Sequence, residues 1–301
     1  WVWDVDGKKY LDMMSAYSAV SHGHSHPELL KTLHEQSSRL ALTSRAFYTD
    51  TLGPYLETIT SLSNFEMALP MNSGAEAVET AIKASRRWAY LSKKIASDKA
   101  EIIVADGNFH GRTTTIISFS SDANSKNDFG PHTPGFVPVV FGSAKAIEEA
   151  INENTAAVLI EPIQGEGGII VPPENFLSEV RKICTKNNVL MILDEVQSGL
   201  GRTGKMFAFQ HSNIQPDGLI LGKALGGGFM PVSCFLASKE IMQWLTPGSH
   251  GSTFGGNPLA AAIGKRSLEL LEEENLIENS RVLGDFFKNA LIDLKSSVIK
   301  E

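Results

Sequence analysis

The sequence predicts an α/β protein with a mainly parallel sheet, and three observations carry that prediction. Short, wholly apolar runs at residues 157–160, 189–193 and 219–221 read as strands buried on both faces. Segments of helical spacing separate most of the runs, as crossovers between parallel strands require. Acidic, amide, aromatic and basic side chains stand just beyond the strand ends, where open α/β sheets keep their ligand crevice.

The 301 residues, 42% hydrophobic and 20% charged, suffice for one large domain and part of a second. A formal net charge of −7 with no basic run excludes an electrostatic footprint for nucleic acid. No apolar run approaches membrane-spanning length. Cys184 and Cys234 lie far apart in apolar surroundings and read as reduced core residues of an intracellular protein. The chain opens at Trp1 without a methionine and stops at Glu301 without a closing signal, so a fragment is expected. A cytoplasmic location is expected, with the mitochondrial matrix open had a leader preceded Trp1.

Taken in order, residues 1–11 alternate around Asp6-Gly7, a hairpin signature. Ser21-His22-Gly23-His24-Ser25-His26-Pro27 then sets three histidines at alternate positions. On a strand they would share a face and suit a metal. Gly23 and Pro27 instead mark a turn, and no cysteine or carboxylate cluster adjoins. A turn leading into a helix over residues 28–42 is expected, with no metal site. Asn72-Ser73-Gly74-Ala75-Glu76 opens a helix running through Leu91, with Ala77, Ala81, Ile82, Ala84, Trp88 and Ala89 on its buried face. A Ser-Gly helix start leaves N–H groups for an anion, helped by the helix dipole. An ordinary N-cap at Asn72 or Ser73 explains the same residues, and both readings stay open.

A strand over residues 101–105 leads to Asn108-Phe109-His110-Gly111-Arg112, and residues 157–160 lead to Glu161-Pro162-Ile163-Gln164-Gly165-Glu166. Residues 173–186 have amphipathic helical spacing, and the strand over 189–193 ends in Asp194-Glu195-Val196-Gln197. Residues 219–221 end at Gly222-Lys223, residues 232–236 form a further strand, and helices follow over 259–274 and 277–294.

Lys223 closes a buried strand, where desolvation favours the neutral amine. Such an amine is a nucleophile and proton carrier, suited to Schiff-base chemistry with an aldehyde. Alone, a lysine snorkelling into solvent explains the residue as well. Asp194 at the end of a buried strand is costly without a cationic partner, and no basic residue adjoins it. A protonated pyridine nitrogen would serve as that partner. With Ser73-Gly74-Ala75 for a phosphate and Phe109 to stack on a ring, these features match the parts of pyridoxal 5'-phosphate. Two near-misses fall away. Gly199-Leu200-Gly201-Arg202-Thr203-Gly204-Lys205-Met206 lacks the hydroxyl that a phosphate loop needs, and no strand runs into G-x-G-x-x-G.

Asp194-Glu195-Val196-Gln197-Ser198-Gly199, Gly201-Arg202-Thr203-Gly204, Leu221-Gly222-Lys223-Ala224 and Gly251-Ser252-Thr253-Phe254-Gly255-Gly256-Asn257-Pro258 resemble, in order and spacing, the class III aminotransferases. The resemblance covers essentially the whole chain. It implies a three-layer fold type I pyridoxal-phosphate transferase, with residues 1–20 an N-terminal segment and 21–265 the large cofactor-binding domain. Residues 266–301 would begin a smaller C-terminal α/β domain.

The resemblance also implies roles. Lys223 would bond the cofactor and move the proton, and Asp194 would hold the pyridine nitrogen. Gln197 would bind the ring hydroxyl, Phe109 and Val196 would sandwich the ring, and His110 would adjoin it. Ser73, Gly74 and Ala75 would cradle the phosphate, with Thr253 reaching in from the second subunit of a homodimer, and Ser252 would also bind the cofactor. Arg112 would grip the substrate carboxylate. Glu166 would mask a second arginine beyond Glu301. Tyr17-Ser18-Ala19-Val20, residues 42–48 and His250-Gly251-Ser252-Thr253 are most similar to the branch acting on ornithine. That implies L-ornithine and 2-oxoglutarate as substrates, with Tyr17 directing the terminal amine to the cofactor. Activity on N-acetylornithine or 4-aminobutyrate is the alternative. A non-catalytic binding protein on the same fold is a more distant one.

Overall fold

The computed structural model describes residues 1–299. The N-terminal hairpin forms as expected from β1 (Val2–Trp3) and β2 (Lys9–Tyr10) and stands apart from the central sheet. That sheet comprises β3 (Met67–Met71), β4 (Glu101–Ala105), β5 (Phe136–Val139), β6 (Thr155–Ile160), β7 (Leu190–Asp194), β8 (Gly218–Leu221) and β9 (Ser233–Ala237). Their spatial order is β3-β9-β8-β7-β6-β4-β5. From β5 across to β8 all neighbours are parallel, while β9 runs antiparallel to both β8 and β3. The short β8–β9 connection has no room for a helical crossover, so the chain returns antiparallel.

Alternate residues of the sheet feed two cores. Ile103, Val158, Ile160, Met191, Leu193, Leu219 and Leu221 face one. Ile102, Val104, Ala157, Leu159, Leu190, Ile192 and Ile220 face the other. Helix Gly74–Leu91 covers the second core through Ala77, Ala81, Ala84 and Trp88. Helices Leu52–Ser63, Ala144–Ala150, Phe176–Lys186 and Pro258–Glu273 cover the first. The result is the expected three-layer α/β architecture. Each such Ile or Leu contributes about 1.5–3 kcal/mol by leaving water. A one-residue slip of any strand would exchange the two sets, so register is firmly held.

Strand and helix ends lie within a few residues of expectation. The first long helix runs Pro27–Arg39 rather than to residue 42, because Leu40 is already extended. Its start follows from Pro27, whose missing N–H costs nothing at a first helical position. The three preceding histidines take different hydrogen-bond partners, although the His22 and His26 rings meet edge-on with centroids 6.4 Å apart. His22 Nε2 lies 2.8 Å from the Ser267 carbonyl, His24 is 2.7 Å from Asp12, and His26 is 3.2 Å from Glu274.

Two strands that the sequence did not announce, β3 and β5, are the edges of the sheet. Each contains a proline, Pro70 or Pro138, a residue that edges tolerate and central strands do not. Helix Pro258–Glu273 is one element on both sides of residue 266 and keeps buried residues as far as Leu271. The helix after it, Leu276–Asp293, has none. Cys184 and Cys234 are both buried and unpaired, and burial pushes the Cys184 thiol up to about 12. No helix among the described residues is long and apolar enough to cross a membrane.

Candidate active site

Strand β8 ends at Leu221, and the chain then makes the single helical turn Lys223–Gly226. Lys223 starts that turn with φ 47°, a left-handed conformation that costs an L-residue roughly 1–3 kcal/mol and persists only where its surroundings impose it. The side chain is half-buried. Burial lowers its amine below the ordinary lysine range, against the opposing charges of Glu166, Asp194 and Glu161. This is the direction that nucleophilic chemistry needs.

Asp194 ends the neighbouring strand β7 and is 5% exposed. Its Oδ1 accepts the Val196 N–H at 3.0 Å, and its Oδ2 accepts from His110 Nδ1 at 2.7 Å. No basic residue adjoins Asp194 in the chain, so the fold supplies one from beyond β4. Burial alone would depress the His110 imidazole. The hydrogen bond and charge of Asp194, with the charge of Glu161, outweigh it and carry the ring above its ordinary value. His110 Nε2 is buried without a partner.

These groups share a pocket of about 170 Å³ at the carboxyl ends of the parallel strands. Of the expected site residues it brings together Gly74, Ala75, Phe109, His110, Asp194, Val196, Gln197 and Lys223. Gly165 allows its close fit, because a Cβ there would collide with the Gln197 amide. Arg112 and Glu166 line an adjoining groove of about 310 Å³ that shares Phe109 and His110. The Arg112 guanidinium lies 5.6 Å from the Phe109 ring centroid, a cation–π contact. No ion pair joins Arg112 to Glu166 among the described residues.

Four expected residues lie elsewhere. Ser73 caps its own helix: its Oγ accepts the Glu76 N–H at 3.2 Å, and Glu76 reaches back to the Ser73 N–H at 2.8 Å. The capping explanation therefore holds for Ser73, while the Gly74 and Ala75 N–H groups keep no intrahelical acceptor. Ser252 Oγ accepts from Asn72 Nδ2 at 2.8 Å and from the Gly255 N–H at 3.1 Å. Thr253 borders a separate cavity of about 330 Å³ alongside Thr43, Arg45 and Tyr48. Tyr17 is 58% exposed and does not line the pocket.

Glu161, Gly111 and Ile163 also line the pocket, although the sequence suggested no role for them. Glu161 had a signal: it follows β6 directly, much as Asp194 closes the adjacent β7. Burial pushes its carboxyl up to about 7, helped by the charge of Asp194 and opposed by His110.

Glu195, beside Asp194, is fully buried and accepts the N–H groups of Ala208 at 2.6 Å and Phe209 at 2.8 Å. Burial nonetheless pushes it from an ordinary 4.5 up to about 7. A carboxyl raised by folding contributes stability that is full below its unfolded value and is lost as pH climbs through the folded one. The effect is on the order of 3 kcal/mol. Denaturant unfolding of the apoprotein should therefore show stability falling between about pH 4.5 and pH 7, and Glu195→Gln should reduce that slope while Glu161 keeps its share. An unaltered slope would show that Glu195 is not the buried acid responsible.

The sequence pattern of the family described as "Aminotransferase class-III" matches residues 1–301. The chain belongs to the class III aminotransferases. This class III chain is 57% identical over 301 residues to the ornithine aminotransferase of Macrococcus caseolyticus, covering 100% of this chain and 76% of that protein. It superposes with a TM-score of 0.95 on the ornithine aminotransferase of Toxoplasma gondii, at 43% identity, over 96% of this chain and 69% of that one. That crystal structure has partial occupancy of PLP at its active site. The acetylornithine aminotransferase of Elizabethkingia anophelis superposes at a TM-score of 0.89 and 48% identity, over 100% of this chain and 73% of that one.

Class III aminotransferases work with pyridoxal phosphate, and the pocket of this aminotransferase fits that group. A carboxylate and an amine stand in one cleft, with an apolar ring and an isopropyl group also lining it. Helix-start N–H groups border it, and a Cβ on Gly74 would come within 3.1 Å of Val196 Cγ1, closing the cradle.

Proposed function

We propose that this aminotransferase moves the δ-amino group of L-ornithine to 2-oxoglutarate. The products are glutamate and glutamate 5-semialdehyde, which closes to pyrroline-5-carboxylate. The observation that carries the catalytic part is the meeting of Lys223 with the His110–Asp194 pair in one pocket. The substrate part is supported by the 57% identity to the Macrococcus ornithine aminotransferase.

When bound, pyridoxal phosphate supplies an aldehyde for amines and a ring that accepts the electron pair left at the substrate carbon. Lys223 Nζ, whose amine burial lowers below the ordinary lysine range, would hold that aldehyde until the substrate amine displaces it and, once freed, would take the proton from the substrate carbon. Asp194 would face the ring nitrogen, and His110 holds the carboxylate in place through the 2.7 Å contact to its Oδ2. Gln197 would offer an amide to the ring hydroxyl. Phe109 and Val196 would flank the ring and exclude water. Gly74 and Ala75 would offer N–H groups to the phosphate. Ser73 contributes to that site by capping and ordering the helix start. Arg112 would take a substrate carboxylate in a bidentate grip, and Glu166, with Asp122, gives the neighbouring groove its acidic side chains.

Thr253, exposed and outside its own pocket, is read as completing the phosphate site of a second copy in a homodimer, with Ser252 bracing it from Asn72. Tyr17, also exposed, is read as the residue that meets the α-amino acid end of ornithine. Residues 266–301 are read as the start of the smaller domain, and the protein as cytoplasmic.

A second reading, N-acetylornithine as donor, is favoured by the 48% identity to the Elizabethkingia acetylornithine enzyme. Rates with ornithine, N-acetylornithine and 4-aminobutyrate, with the cyclised product trapped by an aromatic aldehyde, decide between them. Faster turnover of N-acetylornithine than of ornithine would remove the first reading. Tyr17→Ile should shift the kcat/KM ratio towards 4-aminobutyrate by about tenfold, the worth of one net hydrogen bond of about 1–1.5 kcal/mol. An unchanged ratio would take Tyr17 out of substrate choice.

A further inference from the structure

We propose that Glu161 is a positioning residue that ties the loop carrying Phe109 to the loop carrying Glu166, so that ring stacking and the charge facing the substrate form one wall. The two loops leave adjacent parallel strands, β4 and β6. The Glu161 carboxylate spans them, Oε2 accepting the Phe109 N–H at 3.0 Å and Oε1 accepting the Gly165 N–H at 3.3 Å. Gly165 immediately precedes Glu166. Gln164 adds a second stitch, its Nε2 donating to the Asp106 carbonyl at 2.7 Å. The backbones are close as well, since a Cβ on Gly167 would lie 2.8 Å from the Gly107 carbonyl oxygen. Glu161 and Gln164 are both buried, at 6% and 1% exposure.

A carboxylate in this position is expensive unless its oxygens are claimed. A greasy or amide side chain would fill the space at lower cost but could not accept two N–H groups at once. The charged groups facing Glu161 are His110, Asp194 and Lys223. His110 favours its ionised form, while burial and Asp194 oppose it, which leaves the carboxyl titrating at about 7. Loss of that ionisation weakens one of the two N–H contacts, so the wall loosens as the group is protonated.

The proposal rests on the cofactor reading above, and the test separates the two. The wild-type protein and Glu161→Gln are loaded with pyridoxal phosphate and compared by visible circular dichroism. Both are also followed by amide hydrogen exchange, loaded and apo, over the segments holding Phe109 and Gly165. Glutamine keeps one acceptor and turns its NH2 towards the other N–H. Exchange at both segments should therefore quicken together by about tenfold or more. The visible dichroism should change while the absorption band persists, and KM for the keto acid should rise more than kcat falls. Quickening at one segment alone, or unchanged dichroism with unchanged kinetics, overturns the proposal. If Glu161→Gln does not fold, the wild type answers instead: lowering the pH through about 7 should loosen both segments in parallel, and independent responses overturn the coupling. A wild-type protein with no visible band would refute the cofactor reading, while exchange in the apoprotein would still decide whether the loops are tied.

Discussion

Lys223→Ala is expected to lower transamination by at least about four orders of magnitude and to abolish the visible band of the loaded protein. The size of the loss follows from two duties resting on one nitrogen. In the proposed role the amine would hold the cofactor covalently and, once released, carry the proton at the reacting carbon, and among the described residues no other lysine lines the pocket. The fold invests in this placement. A non-glycine residue sits in the left-handed region at φ 47°, and burial holds the amine below its ordinary range. Reduction of the wild-type protein with borohydride should remove the same band and leave the label on Lys223. A variant that kept the band, or retained more than about one part in a thousand of the activity, would remove Lys223 from the chemistry.

Asp194→Asn should cost about two to three orders of magnitude in kcat while leaving the cofactor bound. The amide can still accept a hydrogen bond, but it cannot hold a ring nitrogen cationic. The same change removes the charge that sustains His110. In the wild type, folding raises the His110 imidazole, so the pair contributes stability that is full below the unfolded histidine value of about 6.5 and disappears as pH rises through the folded one. With Asp194 neutralised, burial should win and the imidazole should fall below its ordinary value. NMR titration of His110 in the apoprotein, wild type against Asp194→Asn, measures this directly. An imidazole that titrates identically in both would mean that the 2.7 Å contact does not govern its charge.

Much of the fold was legible because its central strands are apolar on both faces. Residues 157–160, 189–193 and 219–221 could hardly be anything but sheet interior, and the residues following them mark the crevice. The edge strands β3 and β5 were illegible for the converse reason: Pro70 and Pro138 erase the strand signal where only one neighbour is needed. Within the site, Asp194 looked unpartnered in sequence because its cation, His110, lies 84 positions away. Glu161 carried the same strand-end signal as Asp194, but a lone Glu-Pro has no distinctive spacing that would assign it a role. Ser73 illustrates the opposite limit. Its sequence context fitted both an anion site and a helix cap, and the geometry of Glu76 shows the cap while leaving the Gly74 and Ala75 N–H groups without an intrahelical acceptor.

By itself, the sequence determined the layer architecture, the lysine and the acid, and through its ordered motifs the family. These depend on patterns within a few residues of one another, which a chain displays without folding. Tertiary structure alone decided which imidazole balances Asp194, which carboxylate bridges the two loops, and which expected residues stand outside the pocket. Hydrogen bonds and buried charges depend on ångström distances between remote segments, and no local spacing encodes those distances.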